Sequence, residues 1–192
     1  MTGNDYINFA KKAFYPTETF VDNATLAMFI NEARKRVAKL AKVGYKEDTL
    51  TLQAHTANYT LSTNILKLFR VLIQWDNTIR YELMPIPYGH FPLSTSTFFA
   101  PPWNYAFIPS NKLQFYPCPD REYTAFLYFV PFLSFKYSDA NLSQNDPDIT
   151  NENYFEAVSA FVASHLARND QNYELSELFE NIAIRSLSIL KT

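Results

Sequence analysis

Cysteine and glycine are almost missing from this sequence. The single cysteine, Cys118, excludes an intrachain disulfide and any cysteine cluster that would hold a metal. It reads as a small residue in a turn. Glycine occurs only at positions 3, 44 and 89, which excludes the glycine-rich loops that cradle phosphates. No G-x-S-x-G, H-E-x-x-H or calcium-loop spacing appears. No apolar run approaches the length of a membrane span, and the first residues lack the basic-then-apolar layout of a leader. A soluble protein made in a reducing cytoplasm is expected. A strong excess of charge is also lacking. The formal net charge of −2 excludes a chain that binds nucleic acid through overall basicity.

Hydrophobic and aromatic residues are plentiful, at 47% and 17% of 192 residues, enough for a sizeable core. Charge is unevenly placed. Residues 1–45 hold seven Lys or Arg and four Asp or Glu, a net of +3, whereas residues 139–192 hold three and nine, a net of −6.

Asp22 or Asn23 can cap a helix that runs to about Val43, with Gly44 as its stop. Phe29, Ile30, Ala33, Val37 and Leu40 fall within about 60° of Leu26 around its axis. Lys35, Lys39, Lys42 and Lys46 gather on the opposite side, with Arg34 and Arg36 flanking them. This basic face is either a solvated outer surface or one that meets phosphate or an acidic partner.

From residue 49 the period changes to two. TLTLQA and NYTLS alternate and predict a hairpin turning at residues 55–58. LKLFRVLIQW and TIRYELMPI follow, separated by a turn at Asp76-Asn77. A polar, proline-broken loop covers about residues 85–104. YAFIPS and KLQFYP predict short strands around Ser110-Asn111, and EYTAFLYFVPF predicts the last strand. Close-spaced short strands argue for an antiparallel sheet, sandwich or barrel.

That last strand is apolar on both faces. Tyr123, Ala125, Leu127, Phe129 and Pro131 lie on one; Thr124, Phe126, Tyr128, Val130 and Phe132 lie on the other. Both must be covered, one by the core and the other by a helix, the long loop or a neighbouring subunit. Pro131 confines the strand to an edge or ends its regular pairing.

Residues 138–151 read as a solvated linker, and the scattered Asp139, Asp146, Asp148 and Glu152 lack calcium-site spacing. Two amphipathic helices follow. Phe155, Val158, Val162 and Leu166 stripe the first; Leu175, Leu178, Phe179, Ile182, Ile189 and Leu190 stripe the second. The three histidines, His55, His90 and His165, form no catalytic or metal pattern, and no cofactor is expected.

The expected fold class is α+β: a small helical bundle from residues 1–48 and 139–192, with an antiparallel β-sandwich or barrel-like sheet from residues 49–138, the whole forming one compact unit.

The order of parts resembles the head-to-tail adaptor proteins of tailed bacteriophages, also called connector, collar or ring proteins, here of the short-tailed kind. The resemblance rests on the helix FINEARKRVAKLA, the strand region NYTLSTNILKLFRVLI, LQFYPCPD with its proline-x-proline, FLYFVPFL ending in proline, and closing helices from YFEAVSAFVASHLARN onward. It spans about residues 20–190. Leu-Ser at 61–62, where Leu-Pro is commoner, and the long aromatic loop depart from the pattern.

The resemblance implies a non-enzymatic virion protein, assembled in the bacterial cytoplasm, that forms a ring, commonly twelvefold, beneath the portal. Such a ring joins head to tail, extends the DNA channel without specific DNA contacts, and docks further ring or tail proteins. It implies portal binding through residues 172–192, with Leu175, Leu178, Phe179, Ile182, Ile189 and Leu190 as candidates. Phe126, Tyr128, Phe129, Phe132 and Trp103 are candidate subunit contacts. The face with Arg34, Lys35, Lys39 and Lys42 is assigned to DNA or, in preference, to an acidic ring neighbour. No membrane contact is implied. The alternatives are a more tail-ward ring or gatekeeper, and a carbohydrate- or ligand-binding β module that uses Trp103, Tyr88 and His90.

Overall fold

A computed structural model describes the chain apart from residues 17–19, 77, 91–97, 109 and 190–192. The fold is α+β. The chain divides into two compact units, one made of Met1–Gly44 and Leu133–Thr192, the other of Tyr45–Phe132.

In the first unit, α1 (Gly3–Phe9) continues into a π-helical turn (Ala10–Phe14). Thr2 caps α1 in a reciprocal box with Asp5. This helix has no counterpart among the sequence expectations. α2 (Asn23–Ala41) starts on Asp22, whose carboxylate accepts from the Thr25 N–H. It stops at Lys42 in the left-handed conformation (φ 56°), before Gly44. α3 (Phe155–Asn169) and α4 (Tyr173–Ile189) follow. Among the described residues no helix is long and apolar enough to cross a membrane.

The helices share one core in which Tyr6, Ile30, Val37, Val158, Phe161, Val162 and Phe179 are buried. Burying such a side chain contributes about 1.5–3 kcal/mol.

Residues 138–151 depart from the expected solvated linker. Leu142, Asp146 and Ile149 are buried there. Asp146 takes both Nε and Nη2 of Arg34 at 2.6 Å, and Asp148 takes Nη2 at 3.1 Å. Arg34 also donates to the Phe135 carbonyl at 2.9 Å and lies over the Tyr137 ring at 5.0 Å. A buried guanidinium persists because each of its nitrogens has a partner.

In the second unit, one sheet has the order β1-β8-β3-β4, built from Lys46–Leu52, Tyr123–Pro131, Ile65–Gln74 and Arg80–Glu82, with every pairing antiparallel. The other has the order β2-β7-β6-β5, built from Asn58–Thr60, Lys112–Tyr116, Asn104–Ile108 and Met84–Pro85, with β5 parallel to β6. They sandwich a core that includes Leu52, Val71, Ile73, Tyr105, Leu113, Phe115, Leu127 and Phe129. The described strands form no closed barrel.

The expected hairpin of β1 and β2 does not form. β1 pairs with β8 and β2 with β7, so the turn at residues 53–57 carries the chain from one sheet to the other. Tyr59 Oη accepts from the Gln53 N–H at 2.7 Å, and the His55 N–H donates to the Pro119 carbonyl at 2.8 Å, which fixes that crossing. β6 and β7 do form a hairpin. Ser110 and Asn111 both have positive φ, the geometry that matches strand twist. The Asn111 side-chain amide then donates to the Leu61 and Thr63 carbonyls and accepts from the Ile65 N–H. β8 lies between β1 and β3, and Pro131 ends it rather than placing it at an edge.

Candidate functional site

The even face of β8 explains itself within the chain. Phe126 and Tyr128 are buried although they point away from the sandwich core. Arg80, on β4, lies with its guanidinium carbon 3.5 Å from the centre of the Phe126 ring. Arg70, on β3, lies 4.3 Å over Tyr128, and Tyr45 stacks on the same ring at 6.2 Å. Pairing places Arg70 directly beside Tyr128, and Arg80 two strands from Thr124, so one cation comes from the adjacent strand and the other from the edge strand beyond it. Phe129, 2% exposed, belongs to the sandwich core. Of the five candidate subunit contacts, only Phe132 and Trp103 are exposed.

Trp103 stands in a wider aromatic surface. Its ring is 6.0 Å from Phe98 and 6.1 Å from Tyr116, and Phe98 is 6.2 Å from Tyr116. Nearby, His55 meets Phe99 edge-on at 4.4 Å. The backbone holds these rings firmly. The Cys118 N–H donates to the Phe98 carbonyl, the Ala100 N–H to Cys118, the Trp103 N–H to Tyr116 and the Met84 N–H to Trp103, all between 2.9 and 3.1 Å. Cys118 is thus buried, and burial pushes its thiol up. Tyr81 donates to the Pro102 carbonyl, and burial pushes its phenol up to about 12.

Trp103, 44% exposed, shares its stretch of chain with Phe98, Phe99, Met84 and Tyr88, all of them exposed. No Asp, Glu, Lys or Arg occurs between Glu82 and Lys112. A fixed, uncharged, ring-rich surface fits an apolar protein partner, not a phosphate backbone. Sequence reasoning singled out Trp103, Tyr88 and His90 but missed Phe98, Phe99 and Met84, whose signal was the same charge-free stretch. Residues 91–97 of the loop lie outside the described residues.

The basic face of α2 is smaller than expected. Arg34, 1% exposed, is not on it; the Asp146–Asp148 pair draws it inward. Lys35 pairs with Glu32 one turn earlier at 2.7 Å. Arg36 lies over Phe161 at 4.6 Å and binds Glu180 at 2.8 Å. Glu180 also takes Arg168 at 3.0 Å, so one carboxylate on α4 joins α2 and α3. The Arg36 hydrogen bond comes first among the causes that hold its carboxyl below the ordinary range. Lys39 and Lys42 remain exposed.

On α4, Phe179 is buried in the helical core, and Leu175 and Ile182 pack partly against it. The apolar stripe therefore serves the chain's own bundle first. Leu178 and Ile189 are exposed, and with Ile182 they share one side at spacings of four and seven residues. Leu190 lies outside the described residues. His165, on α3, stacks on Phe29 at 5.2 Å, and burial lowers its pKa. Among the described residues no group of three or more His, Cys, Asp or Glu stands close enough to hold a metal ion.

The model of the SU10 adaptor protein family matches residues 4–190. No curated protein matches the chain. The chain belongs to the SU10 adaptor family and is a phage head–tail adaptor, a structural component of the virion that interacts with portal and tail proteins.

Proposed function

We propose that this adaptor works as a ring of identical subunits, commonly twelve, that sits beneath the portal, joins the capsid head to the tail and extends the DNA channel. One observation carries the reading beyond family membership. The chain bears two exposed apolar surfaces, one on each unit: the ring-rich surface around Trp103, and on α4 the exposed Leu178 and Ile189 flanking a half-buried Ile182. A member of a heterologous ring that also docks on a different protein needs distinct contact surfaces. The α4 row is the portal-facing candidate, because an amphipathic helix suits a hydrophobic groove. The Trp103 surface is the candidate for a neighbouring subunit or a tail-side protein.

DNA passes through without specific contacts in this reading. The net charge of −2 and the self-paired Lys35 and Arg36 supply little grip on phosphate. Co-expression with the portal protein, affinity capture of the portal and electron microscopy of the captured particles test the reading. A ring of added density on one end of the portal is expected. Captured portals without that density would remove the ring.

A further inference from the structure

Among the described residues, the sheet β1-β8-β3-β4 has two edges without a strand partner, β1 and β4. The Thr49 N–H donates to the carboxylate of its own neighbour, Asp48, at 2.8 Å, so it is turned away from β8. Alternation along an antiparallel strand turns the backbone groups of Glu47 and Thr51 to the same outward side. On β4, the Leu83 N–H donates back to the Val71 carbonyl at 2.9 Å. Tyr81 therefore also bonds toward β3, and the backbone groups of Arg80 and Glu82 point outward.

Beside β1 the sandwich is open. A slot of about 130 Å³ runs there, lined by Asp48, Leu50, Leu61, Ile65, Leu127 and Phe129. The half-buried Leu50 and the slot beside it thus adjoin a row of outward backbone groups, which is where an added strand gains both hydrogen bonds and apolar contact.

The occupant follows from strand direction. Every pairing in the sheet is antiparallel, so β1 and β4 run in opposite senses. The β4 edge of a second copy in the same orientation therefore meets β1 antiparallel, and the addition repeats from copy to copy.

We propose that the free β1 edge receives the β4 edge of a neighbouring copy, so that successive subunits are joined through one continuous sheet. This inference rests on the ring reading above.

Charge and face select a register. Arg80 opposite Thr49 would set Glu82 against Glu47, two like charges. Arg80 opposite Glu47 would run Glu82 beyond the start of β1. Arg80 opposite Thr51 keeps all of β4 on β1. It brings the neighbour's Tyr81 beside Leu50 on the slot side and puts Glu82 opposite Thr49. The Glu82 carbonyl then replaces the Asp48 carboxylate on the Thr49 N–H. In the separate chain, that carboxylate guards the edge against unguided pairing.

The test is a double variant, Thr49→Cys with Glu82→Cys, incubated with the portal protein and a mild oxidant. A directly opposed pair has the Cα spacing a disulfide accepts, and the native Cys118 is buried. The expected result is a ladder of covalent multimers that reducing agent collapses to one band. Portal capture of the wild-type chain is read in parallel. Rings docked on the portal with no ladder would overturn the edge pairing and leave the ring reading standing. A wild-type chain that neither docks nor multimerises would overturn both.

Thr49→Pro provides a second reading. It deletes an outward N–H, a place where an edge strand tolerates proline. Its thermal melt is expected to match the wild type while self-association weakens about tenfold or more. Unchanged self-association would count against the proposal.

Discussion

The guanidinium of Arg80 lies 3.5 Å over the ring of Phe126, and Glu47 reaches the same group at 3.6 Å from the far edge of the sheet. A cation from one edge strand and a carboxylate from the other thus close over an aromatic ring between them. Phe126 is therefore a fold residue. Phe126→Ala is expected to destabilise the β unit by about 3–5 kcal/mol. Arg80→Met, which keeps the apolar stem, should cost under about 1 kcal/mol. Urea unfolding followed by circular dichroism measures both. A Phe126→Ala chain of wild-type stability that no longer assembles would return the residue to a contact role.

Arg34 and Asp146 form a fully buried ion pair in the helical unit. Asp146→Ala leaves a buried guanidinium with fewer acceptors and is expected to cost about 3–5 kcal/mol. Replacing the pair together, Arg34→Met with Asp146→Leu, should recover part of that loss. If the single and double variants lose the same stability, the charge left behind is not the cause.

Acid should loosen the helical unit in two stages. His165 is held below its ordinary value chiefly by burial, with Arg168 on its own helix and Arg36 on α2 acting the same way, while Glu180 and Glu32 oppose them. The unfolded chain therefore takes up this proton first, and stability falls as pH drops below about 6.5. Asp148 is also held below its ordinary value. Burial pushes it up, but the Ser134 hydroxyl, the Phe135 and Ser134 N–H groups and Arg34 outweigh that. Its contribution is complete above about pH 4 and is lost as pH falls through the lower folded value. Thermal melts across pH should decline in both windows, and His165→Gln should remove only the upper one.

Trp103→Ala tests the exposed surface. The backbone bonds from Trp103 to Tyr116 and Met84 survive the change, and only the ring contacts with Phe98 and Tyr116 are lost, so folding stability should fall by about 1–2 kcal/mol. Capture of the ring neighbour or tail-side protein should weaken about tenfold or more. A glycan array that binds the wild type and loses it in this variant would instead favour sugar recognition.

The sequence carried the fold class because its apolar period changes from helical to two at the start of the β unit and back again after it. The Ser110-Asn111 turn was legible for a local reason, since both residues tolerate positive φ. The two-sided apolar character of β8 was legible too. Its cover was not, because Arg70 and Arg80 look like ordinary solvent-facing charges until the sheet sets them across Tyr128 and Phe126. Arg34 misled for a related reason. Helical angle places it between the dry and basic sides of α2, and only partners more than a hundred residues away draw it inward. The β1–β2 turn looked like a hairpin because local spacing cannot say which sheet a strand joins.

The division of the chain sets an order of folding during synthesis. Residues 45–132 are contiguous, so the β unit can complete itself as soon as its last strand leaves the ribosome. The helical unit cannot. α1 and α2 are made first, yet Arg34 waits for Asp146, and Ile30 and Val37 wait for α3. α1 and α2 thus remain unfinished until the segment after the β unit returns to them, so the β unit is made while their apolar faces still lack a partner.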